Sequence, residues 1–180
     1  MNSRTVGIFS GRSEGSGEYV DLVNRLGSEL ARNNFTIVNG GGPGLMEVVA
    51  KSAFENNGRV IGVHFEFEGR NPSLYNTETF TYTELYPRQQ KIISLADAFI
   101  VLPGGIGTAY ELFEILAKKQ VGEIQKKTAI ILVSKVFWNA VVQLLETQVK
   151  KGFLSSEVFN HFVLLDSVDE IIEELNSKFE

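Results

Sequence analysis

Residues 98–116, AFIVLPGGIGTAYELFEIL, decide how this chain folds. Ala98, Phe99, Ile100, Val101 and Leu102 form an unbroken apolar run, as expected of a strand buried on both faces of a parallel sheet. Pro103 ends the run, and Gly104, Gly105 and Gly107 allow a tight turn and a close approach of backbone to ligand. From Thr108 onward, Leu112, Ile115 and Leu116 recur at helical spacing. A helix that starts at the C-terminal end of a strand presents unpaired N–H groups and the positive end of its dipole, so the unit predicts a phosphate site. A purely structural reading also fits. Doubly wound domains need tight turns at such junctions, and Thr108 with Glu111 matches a capping box.

Outward from this unit the same alternation recurs. Strands are expected over residues 6–9, 36–38, 60–63, 129–133 and 162–165, and helices over 19–30, 45–53, 86–95, 137–150 and 171–179. Ser10 to Gly17 follows the first strand as a turn-forming loop, and Asn39-Gly40-Gly41-Gly42-Pro43-Gly44 follows the second. Between His64 and Tyr86 the periodicity lapses. Gly69, Arg70, Asn71, Pro72, Ser73 and Asn76 predict a long irregular connection there, a length typical of lids and binding loops. The expected fold is α/β, a Rossmann-like doubly wound parallel sheet with helices on both faces, in one domain spanning residues 1–180. Ligands bind such sheets beyond the C-terminal ends of the strands, so the three glycine-rich turns are expected to converge on one pocket.

Composition narrows the function. A chain of 180 residues, 43% of them hydrophobic, suffices for one substantial core. The net charge of −5, with no basic stripe, argues against nucleic acid as a partner. Without cysteine there is no disulfide framework, cysteine nucleophile or thiolate metal site, which fits a reducing cytoplasm. The opening MNSRTVGIFSG has too short an apolar core for a signal peptide, and no segment approaches the roughly 18 apolar residues of a membrane span. A cytoplasmic protein with no membrane partner is expected. Gly11, Gly15 and Gly17 do not give GxGxxG, and no GxxxxGK[ST] occurs, so neither a dinucleotide nor ATP is the first choice of ligand. His64 and His161 stand far apart with no acidic cluster, so no metal site and no cofactor are expected.

The chain resembles the Lonely Guy family of cytokinin riboside 5′-monophosphate phosphoribohydrolases, long mislabelled as lysine decarboxylases. The family's PGGxGTxxE motif stands here as Pro103 to Glu111, its GGG turn as Gly40, Gly41 and Gly42, and the GLM that follows as Gly44, Leu45 and Met46. Its arginine on the helix before the central strand matches Arg88. The resemblance implies hydrolysis of the N-glycosidic bond of a nucleoside 5′-monophosphate, giving free base and ribose 5-phosphate. It implies Arg88 and Glu111 as catalytic residues and a homodimer as the assembly. The substrate-binding set is then Gly11, Gly41, Gly42, Arg88, Gly104, Gly105, Ile106, Gly107, Thr108 and Glu111. A carboxylate at Glu111 suits stabilisation of an oxocarbenium ion and orientation of the attacking water. Arg88 stays charged and so is assigned to the phosphate or the departing base rather than to acid catalysis.

Three positions depart from the family pattern: Gln89 replaces a lysine, Tyr110 a glutamate and Ala117 a threonine. They leave Arg88 and Glu111 in place and bear on the base, so AMP and a cytokinin riboside 5′-monophosphate both stand as substrates. A non-catalytic nucleotide-binding module is the alternative, because fold alone does not fix function. A pyridoxal-phosphate decarboxylase needs a lysine in the site, and no lysine lies in the glycine turns. His64 and Asp97 are secondary candidates for ligand contact, while Met46 is expected to pack within its helix face. Leu112, Phe113 and Leu116 offer more apolar surface than one core face requires, which favours a C2 interface.

Overall fold

A computed structural model describes residues 4–66 and 71–179; Gly69 and Arg70 lie outside the described residues. Seven strands form one all-parallel sheet: β1 (Arg4–Phe9), β2 (Phe35–Asn39), β3 (Val60–Phe65), β4 (Glu78–Tyr82), β5 (Ala98–Val101), β6 (Ile130–Val133) and β7 (Val163–Leu165). Between them run α1 (Val20–Arg32), α2 (Leu45–Glu55), α3 (Leu85–Leu95), α4 (Ile106–Val121) and α5 (Lys135–Lys150), and α6 (Val168–Phe179) follows β7. The spatial order is β4-β3-β2-β1-β5-β6-β7. The central strands alternate their side chains between two cores. Val6, Ile8, Ile37 and Ile100 meet Leu26, Leu30, Val49 and Ile171 on one face. Phe9, Val38, Phe99 and Val101 meet Ile92, Leu112, Ile115 and Trp138 on the other. Burial on both faces is why these strands read as continuous apolar runs.

The chain builds outward from β1 to β4, then crosses back to β5 beside β1 and continues the other way. That reversal opens a crevice between the ends of β1 and β5, the usual place for a ligand in a sheet of this kind. Two backbone bonds hold its floor: Leu102 N donates to Phe9 O at 2.9 Å, and Gly11 N to Pro103 O at 3.1 Å.

Three expectations need correction. The connection after His64 is not irregular throughout, because β4 pairs with β3 in parallel within it. Its sequence, Glu-Thr-Phe-Thr-Tyr, alternates Phe80 and Tyr82, half-buried, with exposed Thr79 and Thr81, as an edge strand does. The helix after the central strand starts at Ile106, not Thr108. Gly105 occupies the cap with no side-chain capping bond, and Thr108 is buried inside the first turn, so there is no capping box. Lastly, Leu112 and Leu116 are spent on the protomer's own core and supply no interface; only Phe113 remains partly exposed. No helix among the described residues is long and apolar enough to cross a membrane.

Candidate active site

A cavity of about 670 Å³ lies at the C-terminal edge of the sheet, and all three glycine-rich turns reach it. The first contributes Gly11 and Arg12, the second Gly40, Gly42 and Pro43, the third Gly105, Ile106 and Gly107. Gly41 and Gly104 do not line it. They shape the turns instead. Asn39 accepts from Gly41 N at 2.8 Å and donates from its amide to Met46 O at 3.1 Å, fixing the second turn with Gly41 at a φ of 62°. At Gly104 a Cβ would run into the Thr108 side chain and stand 2.8 Å from Gly11 N, so glycine lets the first and third turns touch.

The start of α4 forms one end of the cavity. The first intrahelical bond is Ala109 N to Gly105 O at 3.0 Å, so the N–H groups of Ile106, Gly107 and Thr108 precede it and have no acceptor within the helix. Gly105 and Gly107 add no side chain at this end, and their Cβ positions face open space. These donors and the helix dipole suit an anion. Ser10, at the end of β1, adds a buried hydroxyl with no hydrogen-bond partner to the same cavity. It is a residue that sequence reasoning passed over as part of a loop.

Deeper in the cavity Arg88 faces Glu111. Arg88 Nη1 lies 3.8 Å from Glu111 Oε1, and both side chains are almost wholly buried, at 10% and 14% exposure. Arg88 comes from α3 and is held by a 2.8 Å bond from Nε to Val63 O on β3. Glu111 comes from α4, one turn beyond the anion-binding end. Burial pushes the Glu111 carboxyl up to about 7, against the pull of Arg88 and with a further push from Glu114. Burial likewise lowers Arg88, opposed by Glu111. A carboxylate that titrates near neutrality beside a fixed cation, inside a cleft, is characteristic of catalytic sites.

His64, Met46, Phe65, Leu85 and Tyr110 complete the walls. Met46 therefore both packs, at 7% exposure, and borders the cavity. Phe65 and Leu85 carry no motif that sequence reasoning could have used, whereas Tyr110 stands within PGGxGTxxE at one of the three departures from the family pattern. Gln89 is fully buried and does not reach the cavity, and neither end of its amide is hydrogen-bonded. Asp97 lies elsewhere: it accepts from Thr5 N at 2.9 Å at the start of β5 and borders a second cavity, of about 710 Å³, at the opposite edge of the sheet. That cavity contains none of the glycine turns and no buried ion pair. Among the described residues no lysine lines the cavity that holds Arg88 and Glu111. The buried Lys119 has its ammonium bonded to Thr128 O and His161 O, away from it. Among the described residues no group of three or more His, Cys, Asp or Glu is placed to hold a metal.

Comparison with known proteins identifies the family. A family model described as "Possible lysine decarboxylase" matches residues 46–175. The cytokinin riboside 5′-monophosphate phosphoribohydrolase of Rhodococcoides fascians is 28% identical over 179 residues, covering 97% of this chain and 90% of that protein. Cytokinin riboside 5′-monophosphate phosphoribohydrolase LOG1 of Arabidopsis thaliana is 31% identical over 176 residues, covering 93% and 80%. Among solved structures, the molybdenum cofactor binding protein of Rippkaea orientalis superposes with a TM-score of 0.74 at 18% identity, covering 100% of this chain and 99% of that one, a likeness of fold. On the family model and on relatives that align along nearly its whole length, the chain belongs to the Lonely Guy family.

Proposed function

We propose that this protein hydrolyses the N-glycosidic bond of a nucleoside 5′-monophosphate, either AMP or a cytokinin riboside 5′-monophosphate. The observation that supports this reading most is the buried Arg88–Glu111 pair, open to the cavity one helical turn beyond the N–H groups that begin α4. The phosphate occupies that helix start, with Ile106, Gly107 and Thr108 as donors and Gly11, Gly42 and Gly105 leaving room for it. Gly41 and Gly104 act by holding the turns. The ribose then extends towards Glu111. Ionised Glu111 stabilises positive charge at C1′ and orients the water. Water oxygen adds to C1′, the electron pair of the C1′–N bond leaves with the base, and a proton from the water is transferred so that free base and ribose 5-phosphate result. Arg88 keeps its charge throughout and steadies the phosphate or the departing base.

The same reading makes the chain a single nucleotide-binding domain, cytoplasmic, without nucleic-acid or membrane partners, in line with 22 acidic against 17 basic residues. We also propose a homodimer. Its support is the apolar rim formed by exposed Leu85, Tyr110 and Ile106 at the cavity and Tyr86 beside Leu85, a patch that a second copy would cover. Light scattering on the purified protein tests the assembly.

The activity is tested by incubating the protein with AMP, adenosine and lysine and following free base and carbon dioxide. Base released from AMP far faster than from adenosine is the expected result. Equal rates would remove the role given to the anion site. Tight AMP binding without any base release would make the protein a binding module.

A further inference from the structure

His64 is only 5% exposed, lines the cavity, and has no hydrogen-bond partner at either ring nitrogen. A polar group buried without a partner is unfavourable, and an imidazole bordering a cavity in that condition is poised for a ligand atom. Its place in the cavity narrows which atom. From the anion-binding start of α4, Glu111 lies five residues on, about 7.5 Å along the helix axis. Arg88 stands against Glu111, and Arg88 Nε is bonded to the carbonyl of Val63, the residue before His64. In the sheet, β3, which carries His64, lies beyond β2 and β1 from β5, whose end carries the start of α4, so a nucleotide that extends across the cavity from the helix start runs towards His64. A nucleotide laid out this way carries its base past the Arg88–Glu111 pair, into the part of the cavity bordered by Met46, Phe65 and Leu85. Those apolar walls suit the faces of a planar heterocycle but offer its polar edge nothing.

We propose that His64 supplies that edge contact: one of its ring nitrogens hydrogen-bonds the nucleobase and so takes part in choosing which base is accepted. The proposal rests on the nucleotide reading above and assigns a residue that the family motifs leave without a role. Imidazole suits the task because, when neutral, it offers one donor and one acceptor, and an edge that carries an amino group beside a ring nitrogen can meet either.

The test separates base from phosphate. In a Glu111→Gln background, which keeps AMP intact, calorimetry measures binding of AMP and of ribose 5-phosphate with His64, His64→Phe and His64→Gln. His64→Phe should weaken AMP about tenfold and leave ribose 5-phosphate unchanged, while His64→Gln recovers most of the loss. Loss of affinity for both ligands alike, or for neither, overturns the base contact. If the protein with His64 intact binds neither ligand, the nucleotide reading itself falls and the base contact with it. A measurement without substitution at position 64 guards against a variant that fails to fold. The chain has two histidines, so the ring signals of labelled His64 can be followed directly by NMR. They should move on titration with AMP and not with ribose 5-phosphate; equal movement with both overturns the proposal.

Discussion

The guanidinium of Arg88 is held at two places by two different elements: Nε on the Val63 carbonyl at 2.8 Å, and Nη1 at 3.8 Å from Glu111 Oε1. Its position is therefore set by β3 independently of the carboxylate it faces. Removing the charge of Glu111 leaves the cation where it is, and the electrostatic and structural roles of the pair can be told apart.

Glu111→Gln keeps the shape of the side chain and removes its charge. Base release from AMP should fall by about 10²-fold or more, the range for loss of a charged catalytic group, while AMP still binds. Since no capping bond is made at this end of α4, the substitution has no cap to break. Near-normal turnover in a folded variant would show that Glu111 does not take part in the reaction.

The ionised carboxylate is the working form, and burial holds it up to about 7. For the free enzyme, kcat/KM should therefore rise with pH between about 6 and 8, with its midpoint near 7. Arg88 opposes that upward shift, so Arg88→Ala should be slower and its midpoint displaced to higher pH. A flat profile, or a midpoint unmoved by Arg88→Ala, counts against the pair as described.

Stability carries the same signature with a definite sign. Folding raises the Glu111 pKa from an ordinary 4.5 to about 7, so between those values the native chain holds a proton that the unfolded chain has lost. Stability from this group is fully present below about pH 4.5 and is lost as pH rises through 7. The loss amounts to at most about 3 kcal/mol. Urea denaturation at pH 5 and pH 8 should show the Glu111→Gln variant gaining on the original protein at the higher pH. A difference that stays constant with pH would contradict the raised pKa.

Gly104→Ala tests the contact between turns. The added methyl meets the Thr108 side chain and lies 2.8 Å from Gly11 N. A cost of about 1–3 kcal/mol is expected from overpacking, with weaker AMP binding as the first and third turns separate. Unchanged urea midpoint and affinity would mean that the turns tolerate separation.

Much of the fold was legible because the buried strands are continuous apolar runs and the central helix keeps its period at Leu112, Ile115 and Leu116. β4 was obscured by its place at the edge, where Phe80 and Tyr82 are its only apolar residues and turn-forming residues precede it. Its Thr-Phe-Thr-Tyr alternation was nevertheless a readable strand signal. In the site, Arg88 and Glu111 were visible through motif resemblance, and the convergence of the turns through topology. Asp97 was misplaced because it stands just before β5, roughly four residues and some 13 Å of extended chain before the end that faces the cavity. Ser10 read only as part of a loop, and His64 only as a secondary candidate, for a different reason. A single polar residue at a strand end looks the same in sequence whether its hydrogen bonds are made or left open, and only the folded packing reveals that theirs are open.

The three turns that enclose the cavity follow β1, β2 and β5, so Gly11, Gly42 and Gly105 become neighbours only once the middle of the sheet has assembled. A partly folded chain has no site to offer. Nucleotide binding must then act by mass action on the native state alone, adding about 2.7 kcal/mol when free ligand stands at a hundred times its Kd. A larger substrate pool should therefore raise the protein's resistance to heat and proteolysis above that of the ligand-free chain.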